Sequence, residues 1–184
     1  MNTENTENPE NAENPETRRS KDELLAEAVA LRTRGEAEQA RERLVALADR
    51  HPGDAVIAYQ TAWTHDVLGL EAEAVAYYET ALAGTDLPDQ DRRGALVGLG
   101  STFRILGRYE KAVVTLRGGL AEFPDDGALR TFLAMALFNT GEHDEAMRIL
   151  LELLATTSDD PGVRSYRAAI GHYAKDLREV VQGP

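Results

Sequence analysis

Residues 94–124 read GALVGLGSTFRILGRYEKAVVTLRGGLAEFP. The stretch is two apolar-periodic segments joined at Gly107 and closed by Pro124. Apolar residues at a spacing of three to four describe one buried face of a helix, so each segment predicts an amphipathic helix. Glycine after a helix supplies the left-handed backbone that other residues adopt at a cost, and proline cannot continue a helix. The stretch therefore predicts a helix–turn–helix unit with a firm end.

Working outward, the same unit recurs. Gly35 and Gly69 are 34 residues apart, as are Gly107 and Gly141, while Gly69 and Gly107 are 38 apart, an insertion of four. These offsets also carry Ala40 to Ala74, Ala112 and Ala146, and Ala28 to Ala62, Gly100 and Ala134. They carry Leu44 to Tyr78, Leu116 and Leu150. The small-residue columns fall where two helices approach closely, because a larger side chain there forces them apart. The Leu/Tyr column supplies the bulk that fills the next unit. Pro52 and Pro124 punctuate the ends of units, with Pro88 and Pro161 slightly displaced.

Helix starts agree with this division. Ser20 and Glu23 form a capping-box pattern, Asp54 and Asp125 or Asp126 are placed as N-caps, and Asp160 precedes proline at the first helical position. Helices are predicted near 21–34, 37–50, 55–68, 71–84, 90–106, 109–122, 127–140, 143–157 and 162–181. The repeats then run about 21–54, 55–88, 93–126 and 127–160, within a domain spanning 20–184. The last predicted helix carries Val163, Tyr166, Ile170, Tyr173, Leu177 and Val180 at helical spacing, and it is expected to cap the fourth repeat.

The N-terminus is different. Residues 3–17 are triplets (TEN, TEN, PEN, AEN, PET) with almost nothing apolar to bury. Such a segment cannot offset its ordering entropy, so residues 1–19 are expected to form a disordered acidic tail. It reads as a solvated leader or as an acidic recognition arm.

The net charge is −12, and Glu4, Glu7, Glu10, Glu13 and Glu16 account for five of those charges. The −7 left on residues 18–184 opposes binding to nucleic acid or anionic lipid. Arg18–Arg19 and Arg92–Arg93 are isolated pairs, so a nucleic-acid partner is not expected. No run of apolar residues is long enough for a membrane span, and the acidic start is unlike a signal peptide. The absence of cysteine excludes thiolate catalysis and Cys-ligated zinc. It also suits a reducing compartment, and a cytoplasmic location is expected.

The 34-residue period with its Gly, Ala and Pro columns resembles the tetratricopeptide repeat, with residues 94–124 as the clearest copy. Its layout is similar to a small bacterial subgroup, the group-five tetratricopeptide-repeat proteins. The aromatic residue usual near each repeat start is replaced by Leu24, Ala58, Leu96 and Arg130, and Ser158 stands where proline would close the fourth repeat. The resemblance implies an all-α fold: an α-α superhelix of four helix–turn–helix repeats plus a C-terminal capping helix. It implies a right-handed solenoid whose concave side is lined by the first helix of each pair.

Carried over by the same offsets, that lining runs Leu25, Val29, Arg32, then Tyr59, Trp63, Asp66. It continues through Val97, Ser101, Arg104 and Thr131, Met135, Phe138, and ends at Ser165, Ala169, His172. Tyr59, Trp63, Asp66, Val97, Ser101, Arg104, Thr131, Met135 and Phe138 are the candidate ligand-binding residues. Exposed aromatic residues beside arginine favour interfaces, whereas helical spacing alone reads Trp63, Met135 and Phe138 equally well as core. Chaperone-binding members hold a C-terminal carboxylate with Lys, Asn and Arg on their first helices. The matching positions here are Leu25, Val29, Gln60, Gly94 and Gly98, so that clamp is absent.

Nothing in the chain assembles a catalytic set. The histidines (His51, His65, His143, His172) show no paired spacing for a metal on one helix face. The His143-Asp144-Glu145 triplet opens a helix, where acids suit the helix dipole. Gly98-Leu99-Gly100 follows no strand and lies within a helix, so it reads as a helix contact and not a phosphate loop. No metal, cofactor or enzymatic activity is expected. The predicted role is a non-catalytic interaction scaffold that takes a peptide or helix of another protein in its concave groove. The alternative is a homodimer paired through the groove or the last helix.

Overall fold

The computed structural model describes residues 19–180, and its regular structure there is ten helices. They are α1 (Lys21–Thr33), α2 (Ala37–Arg50), α3 (Ala55–Val67), α4 (Glu71–Ala83) and α5 (Asp89–Ile105). Then come α6 (Tyr109–Glu122), α7 (Gly127–Thr140), α8 (His143–Thr157), α9 (Pro161–Ser165) and α10 (Arg167–Tyr173). The acidic tail predicted at the N-terminus lies, up to residue 18, outside the described residues.

Local chemistry sets the helix starts. The Ser20–Glu23 capping box forms in both directions. Asp54, Asp126 and Asp160 each accept a bond from a backbone N–H in the first turn of α3, α7 and α9. Between the helices of a pair the chain must reverse within three residues, and glycine does this: Gly35, Gly69, Gly107 and Gly141 all have φ between 70° and 90°. There a Cβ would crowd the backbone.

The four-residue insertion has a structural identity. Helix α5 has 17 residues where α3 has 13, so the extra residues are one further helical turn at the start of α5. Arg92, in that turn, donates to both carboxylate oxygens of Glu122 (2.6 and 3.0 Å) and to the Leu82 carbonyl at 3.1 Å. One guanidinium thus ties the end of α4 to the end of α6.

Packing follows the columns. Ala28, Ala62, Gly100 and Ala134 are buried, as are Ala40, Ala74, Ala112 and Ala146. A Cβ on Gly100 would lie 2.5 Å from Cγ of Leu116, so the helices of the third pair approach as closely as a missing side chain allows. Leu44, Tyr78 and Leu116 are enclosed beneath the following repeat.

The curvature follows from which helices touch. α1 contacts α3, α3 contacts α5, and α5 contacts α7, whereas α2, α4, α6 and α8 do not contact one another. First helices converge and second helices diverge, so the stack is concave along α1, α3, α5 and α7.

The C-terminus departs from expectation. The single helix predicted over 162–181 is two short helices, broken at Tyr166, and ends at Tyr173. Only α8 receives it: α9 and α10 reach α8 and each other but not α7. Ala174 is buried and Ile170 half-buried, while Tyr166, Tyr173, Leu177 and Val180 remain exposed. A short helix is marginal without a packed face, and Gly171 weakens it further. The predicted lining therefore stops at α7, and Ser165, Ala169 and His172 do not extend the groove.

Candidate functional site

Helix α3 is the spine of the concave face, and polar bonds hold it on both sides. On the α1 side Arg32 donates to the Gln60 carbonyl (3.0 Å), the Gln60 side chain (2.6 Å) and the Thr64 hydroxyl (3.0 Å). Its guanidinium also lies 3.9 Å over the Trp63 ring. Burial lowers the pKa of Arg32, and the bonds and the ring offset that cost. On the other side Asp66 accepts from the Tyr78 hydroxyl (2.7 Å) and the Thr102 hydroxyl (3.0 Å), joining α3 to α4 and α5. Burial pushes the Asp66 carboxyl above its ordinary range, against the pull of these two bonds. The Tyr78 hydroxyl is pushed up as well, by burial and by the adjacent carboxylate.

Between α3, α5 and α7 lies a cleft of about 340 Å³. Tyr59, Trp63, Asp66, Val97 and Ser101 line it, together with Val67, Tyr78, Gly94, Gly98 and Phe132. Tyr59 and Trp63 stack at 5.9 Å. Gly94 and Gly98 make room for the floor: a Cβ at Gly94 would lie 2.2 Å from the Tyr59 hydroxyl oxygen, and one at Gly98 2.3 Å from that of Tyr78. These two positions correspond to the absent carboxylate clamp, and here they are spaces filled by tyrosines from the preceding repeat.

Five of the nine candidate residues thus meet in one cleft, and four do not line it. Arg104 lies in the last turn of α5 with its Nε enclosed and without a hydrogen-bond partner. Thr131 donates back to the Gly127 carbonyl. Met135 and Phe138 lie further along α7, where Phe138 packs 4.8 Å from the His143 ring. The choice between core and surface is decided: Trp63, Met135 and Phe138 are 44%, 40% and 64% exposed.

Sequence reasoning missed Phe132, Thr102 and Tyr78. Phe132 and Thr102 stand one residue beside stripe positions, a displacement of the kind helix crossing angles produce. Tyr78 belongs to the filling column, but a hydroxyl on that column opposite Gly98 was a readable signal. His65 is a core residue whose Nδ1 lies 2.8 Å from the Thr61 carbonyl, an acceptor, so Nδ1 carries the proton. Among the described residues no three His, Asp or Glu gather at metal-binding distance, and no helix is long and apolar enough to cross a membrane.

Paired helices stacked into an arc, with side chains exposed on the inner face, define a helical-repeat interaction scaffold. The family model described as tetratrico peptide repeat matches residues 55–177, two-thirds of the chain, and the chain belongs to that family. The match begins at the second repeat and runs through α10.

Solved structures share the fold at low identity. MamA of strain MSR-1 superposes with a TM-score of 0.63 at 18% identity, covering 74% of this chain and 76% of that one. MamA from residue 41 to its end, from Desulfovibrio magneticus RS-1, gives 0.61 at 19% identity, with 86% and 96% covered. A kinesin light chain with nearly identical TPR-like repeats from Podosopora anserina gives 0.63 at 21% identity, with 85% and 87% covered. Proteins of the tetratricopeptide family bind other proteins and are typically non-catalytic scaffolds.

Proposed function

We propose that this protein is a non-catalytic interaction module that holds a peptide or a helix of a partner protein along α3, α5 and α7. The observation carrying this reading is the contrast between Trp63, Met135 and Phe138, exposed on the concave face, and the core columns beside them, which are closed. Large exposed aromatic and thioether groups on a rigid concave surface are the residues that dominate interface energies. Truncating Trp63 or Met135 removes contact area without opening the core. Affinity capture with the wild-type chain and with Trp63→Ala and Met135→Ala tests the reading. Loss of the same captured protein from both variants supports it, and undiminished capture by both overturns it.

Self-association is a second reading, favoured by one observation. Met147, Leu150 and Leu154 are exposed along α8, the face that α9 and α10 cover only in part. A second copy pairing there would bury them. Light scattering across a concentration series distinguishes the two, since a monomer mass at the highest concentration overturns this second reading.

A further inference from the structure

We infer that the cleft between α3, α5 and α7 receives a cationic side chain, lysine or arginine, of the partner polypeptide, with Asp66 as its counter-ion. This rests on the concave face being the partner-binding face, and it specifies the chemistry of what enters.

The first observation is an uncompensated charge. Asp66 is half-buried, and both of its hydrogen-bond donors, Tyr78 and Thr102, are neutral hydroxyls. Among the described residues it belongs to no ion pair. Arg32 is turned to the opposite side of α3, onto Gln60, Thr64 and the Trp63 ring. Glu71 adds negative potential at Asp66, and burial already disfavours the ionised form. A carboxylate held half out of water is stabilised chiefly by a cation.

The second observation is the character of the walls. Tyr59, Trp63 and Phe132 present aromatic surface beside the carboxylate, and Val97 adds aliphatic surface. Lysine and arginine bury an apolar stem and keep a charged head, and aromatic faces attract that head. The other classes of guest fit worse. An acidic side chain meets Asp66 with like charge. An apolar one covers the carboxylate and removes its remaining water without replacing it. The chain's net charge of −12 acts in the same direction at long range, drawing basic segments toward it.

The test is a positional library of short synthetic peptides, each position fixed in turn, titrated against the protein. Trp63 is the only tryptophan and lines the cleft, so its emission reports occupancy. The expected result is enrichment of lysine or arginine at one position, with binding of those peptides weakened about tenfold in Asp66→Asn. Because Asp66→Asn also alters the bonds to Tyr78 and Thr102, Ser101→Lys provides an independent check. It places an ammonium at the cleft, leaves the buried network intact, and is expected to abolish the basic preference.

Peptides that bind and shift Trp63 emission without basic preference, or equally in both variants, overturn this inference and leave the groove reading standing. If no peptide in the library binds or shifts Trp63 emission, the groove reading itself fails and the inference with it.

Discussion

Leu116 and Leu150 occupy the same place in consecutive repeats, yet Leu116 is fully enclosed and Leu150 is 39% exposed. The difference lies in the helix that comes next in the chain. α7 is a full helix that seals the face of α6, whereas α9 ends after five residues and leaves α8 partly open. A repeat's own sequence supplies half of its core, and its neighbour supplies the other half. Stability should therefore concentrate in the interior repeats and thin toward the C-terminus.

Four measurements put that gradient at risk. The largest effect is expected at the column itself: Leu116→Ala should destabilise by about 2–5 kcal/mol in urea unfolding, and Leu150→Ala by well under half of that. Equal losses would show that α9 and α10 close the end as effectively as a full repeat.

Glycine substitutions should differ in sign. At Gly98 a Cβ meets the Tyr78 hydroxyl, so Gly98→Ala should cost about 1–3 kcal/mol. At Gly171 a Cβ meets nothing, so Gly171→Ala should stabilise α10 by about 0.5–1 kcal/mol at most, read as higher amide protection of that helix.

Ion pairs give a smaller contrast. Arg92 holds Glu122 bidentately, raising its own pKa and lowering that of Glu122, but both groups remain largely solvated. Arg92→Ala should cost only about 0.2–1 kcal/mol in thermal unfolding. Arg178 with Asp144, 2.6 Å apart and highly exposed at the open end, should contribute nothing measurable.

The last contrast is in pH dependence. Burial raises the folded-state pKa of Asp66 above its ordinary value of 3.8. Its contribution to stability is therefore full below that value and declines as pH rises through the folded pKa. Asp66→Asn should gain in melting temperature relative to wild type between about pH 3 and pH 7. A constant difference across that range would show that the two hydroxyl bonds fully offset the burial.

Much of the fold was legible. Gly107 predicted its turn because a left-handed backbone is a local requirement, and Asp54, Asp126 and Ser20 predicted their caps because the first N–H groups of a helix lack acceptors within it. Ala112 and Gly100 predicted a close approach because small residues at a fixed offset have little other use. The candidate site was legible only in part. Periodicity put Tyr59, Trp63, Asp66, Val97 and Ser101 on one face, but it also included Thr131, which lies outside the cleft, and passed over Phe132. Which residue of a neighbouring helix reaches a cleft depends on crossing angle, a quantity no single helix encodes.

The amino-acid order was thus enough to define the repeat, its period, the inserted turn and the residues that close each helix pair, since these are local matters of dihedral preference, capping and side-chain size. Tertiary structure alone decided that Arg32 is bound inward, that Asp66 is left without a counter-ion, and that the last predicted helix breaks at Tyr166. Each of those depends on how much surface a neighbouring element covers, and burial is settled only when the elements meet.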